Sequence, residues 1–322
     1  MKKAYKIISD AANHTPVMKS RTLDAMTNAK RIFVKCENFQ RTGSFKFRGA
    51  WNCISHIPIR ERTKGIIAHS SGNFAQAVAL VANILGIKAT IVMPENATPS
   101  KIEATKAYGA KILFSGPNIE DRARLTQEQI DIHGYRLVHP FDDYLVIYGG
   151  GTTALEFINQ IGTLDLLLVP IGGGGLISGC SIAAKELDPR IKIIGVEPKN
   201  ADDAYQSFKQ GKRIPVVNPN TIADGLRTSL GEKTFPIIQD LVSEIITVTE
   251  EQIIDAMKFY WERMKLVVEP SGAVPLAGLL YGDIEPSLIK NKKIGLIISG
   301  GNIDLSNFFN MIKQEQNQEM RS

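Results

Sequence analysis

The strongest constraint on how this chain can fold is a succession of short, continuous runs rich in Ile and Val. Ile32–Cys36, Gly65–His69, Ala89–Met93, Lys111–Phe114, Leu166–Ile171, Lys192–Val196 and Ile294–Ser299 each read as a strand. Most are apolar throughout rather than alternating, the pattern of strands buried on both faces of a parallel sheet. Between them, Phe74–Leu85, Lys101–Tyr108, Ile119–His133 and Glu250–Met264 read as helices. Parallel strands need crossover connections, so the alternation predicts an α/β fold with parallel-type sheets and helices on both faces. At 322 residues the chain suffices for one large or two medium domains. No internal repeat is visible, and only the polar tail Lys313–Ser322 approaches low complexity.

Composition excludes several classes. An apolar fraction of 43% argues against disorder. The net charge of +5 comes from scattered basic residues, as in Arg60–Lys64, with acidic neighbours and no aromatic interleaving. They read as solvated surface rather than a nucleic-acid face. Cys36, Cys53 and Cys180 are odd in number and lack metal-ligand spacing, so reduced thiols are expected. Met1-Lys2-Lys3 leads into polar residues rather than the apolar core of a signal peptide. No run of about 18 apolar residues exists to span a membrane. The expectation is a soluble, cytoplasmic protein.

Four stretches carry chemistry. In Thr42-Gly43-Ser44-Phe45-Lys46-Phe47-Arg48-Gly49-Ala50, a lysine sits between aromatics. Desolvation there lowers its pKa and frees the amine as a nucleophile, although snorkelling at the surface accounts for the same pattern. In Ile171-Gly172-Gly173-Gly174-Gly175-Leu176, four glycines end an apolar run and open a helix. Backbone amides can approach an anion closely there, so a phosphate cradle is favoured over a mere turn; no G-K-[ST] follows, which excludes a Walker loop. Ser70-Ser71-Gly72-Asn73 lies between a strand and a helix, and reads either as an N-cap or as a carboxylate-binding helix start. Glu197-Pro198-Lys199-Asn200-Ala201-Asp202-Asp203 offers oxygen ligands for Mg²⁺ or Ca²⁺, or acidic capping of the next helix. Gly149-Gly150-Gly151-Thr152-Thr153-Ala154 is a weak match to a nucleotide fingerprint. H-E-x-x-H and G-x-S-x-G are absent. The residues alone leave open a non-catalytic nucleotide-binding protein.

The longer string Cys36-Glu37-Asn38-Phe39-Gln40-Arg41-Thr42-Gly43-Ser44-Phe45-Lys46-Phe47-Arg48-Gly49-Ala50 resembles the cofactor-lysine segment of the pyridoxal-phosphate-dependent serine/threonine dehydratase and serine racemase family. The later motifs follow in that family's order. The resemblance implies a two-lobed, fold type II enzyme. Residues 1–64 and 144–322 would form a large cofactor-binding lobe and 65–143 a small inserted one, with the cofactor in the cleft between them. It further implies that Lys46 carries pyridoxal 5′-phosphate, beside Phe45 and Asn73. Gly172, Gly173, Gly174 and Gly175 would hold the phosphate, and Ser299 would meet the pyridine nitrogen. A hydroxyl there does not strongly favour a protonated ring, in keeping with prompt loss of a β-leaving group.

Ser70, Ser71, Gly72 and Asn73 would grip the substrate carboxylate, with Arg122 and Thr228 near the substrate and Ser71 as a second acid–base residue. Glu197, Asp203 and the Ala201 carbonyl would bind a divalent cation. Two departures stand out. Phe74 replaces the usual His, and Tyr148-Gly149-Gly150-Gly151-Thr152 replaces AGQGT. His139-Pro140-Phe141-Asp142-Asp143 resembles the threonine dehydratase branch, whereas the cation motif favours the racemase branch. The implied activity is an ammonia-lyase on L-serine- or L-threonine-type hydroxy amino acids; a serine racemase and a 3-hydroxyaspartate dehydratase are the alternatives. A homodimer and a nucleotide effector are family expectations. With only a short stretch after Ser299-Gly300-Gly301-Asn302, no C-terminal regulatory domain is expected. Cysteine synthases and tryptophan synthase β-subunits share the architecture, so fold alone does not set the chemistry.

Overall fold

In chain order the strands are β1 (Val17–Lys19), β2 (Arg31–Cys36), β3 (Ile66–His69), β4 (Ala89–Pro94), β5 (Lys111–Ser115), β6 (Arg136–Leu137), β7 (Leu166–Pro170), β8 (Lys192–Pro198), β9 (Glu244–Val248) and β10 (Lys293–Ile298). The helices are α1 (Lys2–Ile8), α2 (Arg21–Thr27), α3 (Lys46–Ser55), α4 (Ile59–Arg62), α5 (Asn73–Ile84), α6 (Pro99–Ala107), α7 (Ile119–His133), α8 (Tyr144–Ile161), α9 (Gly175–Leu187), α10 (Asp203–Gln210), α11 (Thr234–Leu241), α12 (Glu250–Phe259) and α13 (Pro270–Tyr281). The computed structural model describes residues 1–310 apart from Ser71, Thr98, Pro117, Leu305, Asn307 and Phe308, so the tail from Lys313 lies outside the described residues.

Two sheets result. The larger runs β1-β2-β10-β7-β8-β9, and the smaller runs β5-β4-β3-β6. Every pairing is parallel except β1 with β2, an antiparallel edge. Interior strands are apolar on both faces because both are covered: all of β4 and β7 is buried. One face of the larger sheet packs on α12 and α13. The other packs on α8 and α9. The smaller sheet packs on α5. Local chemistry sets the helix starts. Asp143 Oδ1 accepts the N–H groups of Leu145 and Val146 at 2.7 and 3.3 Å and opens α8, while Thr249 and Gln252 form a capping box on α12.

The strand expectations hold to within a residue at their ends, except that β8 runs two residues further, to Pro198. Gly65, at φ +81°, turns left-handed and stays outside β3. β1, β6 and β9 were not anticipated; β1 and β6 are too short for a periodic signal. The stretch Glu250–Met264 is helical, but its last turn, Tyr260–Met264, is a π-helix. The glycine triplet Gly149-Gly150-Gly151 corrects the nucleotide-fingerprint match, since it lies inside α8 rather than at a strand–helix turn. Its role is packing. A Cβ on Gly149 would sit 2.5 Å from the Arg48 carbonyl oxygen, and one on Gly151 would run into the Gly179 carbonyl of α9. Among the described residues, no helix is long and apolar enough to cross a membrane.

Gly151→Ala is expected to lower unfolding free energy by about 1–3 kcal/mol through overpacking of α8 on α9. Urea denaturation measures this; wild-type stability would show that the two helices can separate without cost.

Candidate active site

Lys46 is the first residue of α3. Just before it, Phe45 donates its N–H to the Ser299 carbonyl at 2.9 Å, and Ser44 bridges Gly300. The lysine is thereby pinned beside the end of β10. Arg48 anchors the same helix. Its guanidinium bonds Glu37 at 2.7 Å and Glu156 at 3.0 Å, and Lys35 bonds Glu156 at 2.5 Å, all fully buried. Burial pushes the Glu156 carboxyl up, but Arg48 and Lys35 outweigh it and hold it below its ordinary value. The Lys46 amine donates to the Pro140 carbonyl at 3.1 Å. It lies 5.0 and 5.6 Å from the ring centroids of Phe45 and Phe74. Phe74 thus presents an apolar face to the lysine. Burial lowers the Lys46 pKa to about 8, with the Glu269 carboxylate opposing the shift. The helix N-terminus works with burial in favouring the neutral amine.

The tetraglycine joins β7 to α9. None of the N–H groups of Gly172 to Gly175 donates to a described residue. Gly174 is left-handed, at φ +86°. A Cβ on Gly173 would run into the Phe141 ring, and one on Gly174 would lie 2.8 Å from Thr234. Thr234 Oγ1 donates to the Gly173 carbonyl at 2.8 Å and fixes the turn. Thr228 faces this loop, its Oγ1 3.4 Å from where a Gly172 Cβ would be. Undonated amides at a helix start can form an anion cradle, and glycine is required here because a Cβ would run into Phe141, Thr234 or the Gly225 carbonyl.

On the opposite wall, the Ser70 hydroxyl accepts the Gly72 N–H at 3.3 Å and closes the turn before α5. Ser71 lies outside the described residues. The Asn73 amide donates to both Glu269 oxygens at 2.8 and 3.0 Å and accepts from Asn302 at 2.9 Å. Burial, then Asp224, raises the Glu269 pKa to about 7. Lys101 of α6 pairs with Asp224, which precedes the 225–228 stretch. Arg122, on α7, has a buried Nε without a partner among the described residues. Burial lowers the His69 pKa to about 4, helped by His139 and Arg122. Lys46, the tetraglycine, Asn73 and Ser299 therefore lie in one neighbourhood, linked through Phe45, Phe74, Pro140, Phe141 and Asn302; Glu269, Asn302, Lys101 and His139 join it and were not anticipated. Glu269 precedes a helix-opening proline and reads in sequence as an ordinary cap.

A family model described as "Pyridoxal-phosphate dependent enzyme" matches residues 8–300. The chain belongs to the pyridoxal-phosphate-dependent enzyme family. It is 46% identical to an L-threo-3-hydroxyaspartate ammonia-lyase of Saccharomyces cerevisiae, over 96% of this chain and 94% of that one. The structure of maize serine racemase matches with a TM-score of 0.93 and 43% identity, over 99% and 97% of the two chains. A serine racemase structure from Dictyostelium discoideum matches with a TM-score of 0.88 and 43% identity, over 94% and 97%. The fold is thus the type II pyridoxal-phosphate α/β fold. The residues fit the cofactor: a low-pKa amine stands beside a cradle of undonated amides.

The residues expected to hold a cation sit near the end of β8 and at the start of α10. Glu197 ends β8, fully buried, and accepts the N–H groups of Ala204 and Tyr205 at 3.2 and 3.0 Å. Asp203 Oδ2 accepts from Leu230 N–H at 3.2 Å, while Oδ1 is buried without a partner among the described residues. Ala201 is buried in the turn between them. Burial and mutual repulsion raise the pKa of Glu197. Among the described residues, no three His, Cys, Asp or Glu side chains cluster as a metal site.

The rate of pyridoxal phosphate capture by the apo-protein should rise with pH and level off above about 8, where Lys46 is a free amine. Stopped-flow absorbance measures it. A plateau only near 10.5, the ordinary lysine value, would mean the amine is solvated.

Proposed function

We propose that this chain is an ammonia-lyase that dehydrates L-serine- or L-threonine-type hydroxy amino acids to a 2-oxo acid and ammonia. The observation that carries the reading is the Lys46 amine, lowered to about 8 and set among the aromatic rings, the anion cradle and the α5 N-terminus. Pyridoxal phosphate, when bound, supplies the electron sink that makes the substrate Cα–H acidic. Lys46 would hold the cofactor, and its amine would take the Cα proton. Gly172 to Gly175 would hold the phosphate and Ser299 would face the ring nitrogen. The turn at Ser70, Gly72 and Asn73 would orient the substrate carboxylate. Loss of the β-hydroxyl as water leaves an enamine, which water hydrolyses to the oxo acid and ammonia.

The lobe division belongs to the same proposal. It is supported by the smaller sheet, which draws all its strands from between Ile66 and Leu137. A Mg²⁺ or Ca²⁺ ion held by Glu197, Asp203 and the Ala201 carbonyl belongs to it too, supported by the Asp203 Oδ1, which has no partner among the described residues.

The buried Arg122 Nε, without a partner among the described residues, favours a second reading, a substrate with two carboxylates such as 3-hydroxyaspartate. Serine racemisation on the same scaffold needs an acid–base residue on the other face, the role that Ser71 takes by resemblance.

Lys46→Ala should abolish both turnover and the borohydride-sensitive visible band; retained turnover overturns the scheme. Chiral analysis of products from L-serine separates pyruvate from D-serine. Arg122→Ala should raise KM for 3-hydroxyaspartate at least about tenfold more than KM for serine, the worth of a charge-assisted hydrogen bond. Equal effects on both substrates would remove the dicarboxylate reading.

A further inference from the structure

The segment 139–143 touches both Lys46 and the tetraglycine. His139 follows β6 as His69 ends β3. Ile67 pairs with Leu137, so the two histidines fall at equivalent places on adjacent parallel strands. Their rings meet edge to face at 5.7 Å. His139 Nδ1 accepts two backbone N–H groups, from Asp142 at 2.9 Å and Phe141 at 3.4 Å. An acceptor at Nδ1 places the proton of the neutral ring on Nε2.

The turn so closed delivers each following residue to a different neighbour. The Pro140 carbonyl accepts from Lys46. The Phe141 ring lies against Gly173, and the Phe141 Cβ is 2.9 Å from where a Cβ on Gly175 would lie. The Asp142 carboxylate accepts the N–H groups of Lys233 and Glu232, at 2.8 and 3.1 Å, ahead of α11. Asp143 caps α8. One imidazole therefore sets the backbone that links the amine, the anion cradle and two helix starts.

We propose that His139, as the Nε2–H tautomer, is a positioning residue that holds Lys46 and the tetraglycine in register through the 139–143 turn. The proposal rests on Lys46 as the cofactor lysine. The surroundings keep the ring neutral: burial comes first, and Lys233 and Lys46 add to it against Asp142 and Asp143. His69 faces the ring as a neutral group, and its own value falls to about 4. A protonated ring would turn an N–H toward two N–H donors and lose both bonds.

The test compares two variants with wild-type holoenzyme. His139→Leu removes the acceptor. Cofactor affinity, titrated by absorbance on the apo-protein, should weaken about tenfold, and kcat should fall about tenfold while KM for L-serine stays within about threefold. His139→Asn offers its Oδ1 near the Nδ1 position and should recover both quantities to within about threefold of wild type. An independent readout needs no variant to fold. The side-chain ¹⁵N spectrum of histidine-labelled wild-type protein at pH 8 should show His139 unprotonated at Nδ1. Wild-type behaviour of His139→Leu, failure of His139→Asn to recover, or an Nδ1–H tautomer each overturns the proposal. A wild-type protein without a borohydride-sensitive band would instead overturn the role of Lys46, leaving the tautomer result to stand alone.

Discussion

The site depends on a buried set of four charges. Arg48 sits on the helix that begins with Lys46, Glu37 follows β2, Glu156 lies on α8, and Lys35 closes the set from β2. Thr15 adds a hydroxyl to Glu37 at 2.6 Å and a backbone N–H to Glu156 at 3.0 Å. Buried ions are poor sources of net stability, because desolvation consumes most of the Coulombic gain. Their value here is geometric. Each carboxylate accepts from more than one element, so sliding α3 along α8 would strand a charge in an apolar interior. This fixes the height and rotation of the lysine-bearing helix, which apolar packing alone leaves adjustable.

The candidate site obeys the general rule for parallel α/β sheets, in which the working groups collect at the carboxyl ends of strands. Ser299 follows β10, the tetraglycine follows β7, Ser70 follows β3 and His139 follows β6. Polar contacts link residues presented by the two sheets: Asn73 with Glu269 and Asn302, and Lys101 with Asp224. Glu269 is the most consequential of these. Its buried carboxyl sits near the lysine and opposes the burial that frees the amine. The position of Lys46 on the pH scale is thus a balance between desolvation and one carboxylate.

Much of this was legible in the sequence because it rests on local patterns. Strands buried on both faces read as continuous apolar runs. A run of glycines after a strand suggests a phosphate cradle within a few residues, whereas a lysine between aromatics equally fits a snorkelling surface residue and gained its role only through the longer Cys36–Ala50 string. What escaped, Glu269 and Asn302 and their pairing with the expected Asn73, has no local signature. Asn73 and Glu269 are 196 residues apart, and Asn302 bonds Asn73 across 229. An Asn at a helix start and a Glu before a proline look like caps until the fold brings them together. The glycine triplet misled in the other direction. Gly149-Gly150-Gly151 copies a nucleotide loop in spacing, but close helix packing demands the same residue for a different reason.

That packing has a consequence for how the sequence can drift. Gly151 of α8 and Gly179 of α9 meet backbone to backbone: a Cβ on Gly179 would lie 2.6 Å from the Gly151 nitrogen. At most buried contacts, a larger residue on one side is accommodated by a smaller one on the other, and families wander through such paired exchanges. Here both partners already hold the smallest residue, so no compensating exchange exists. The seam is a fixed point. Divergence between relatives should accumulate on the outer faces of the helices, as on the exposed Ile132 of α7, and leave this pair of positions as a marker of common descent.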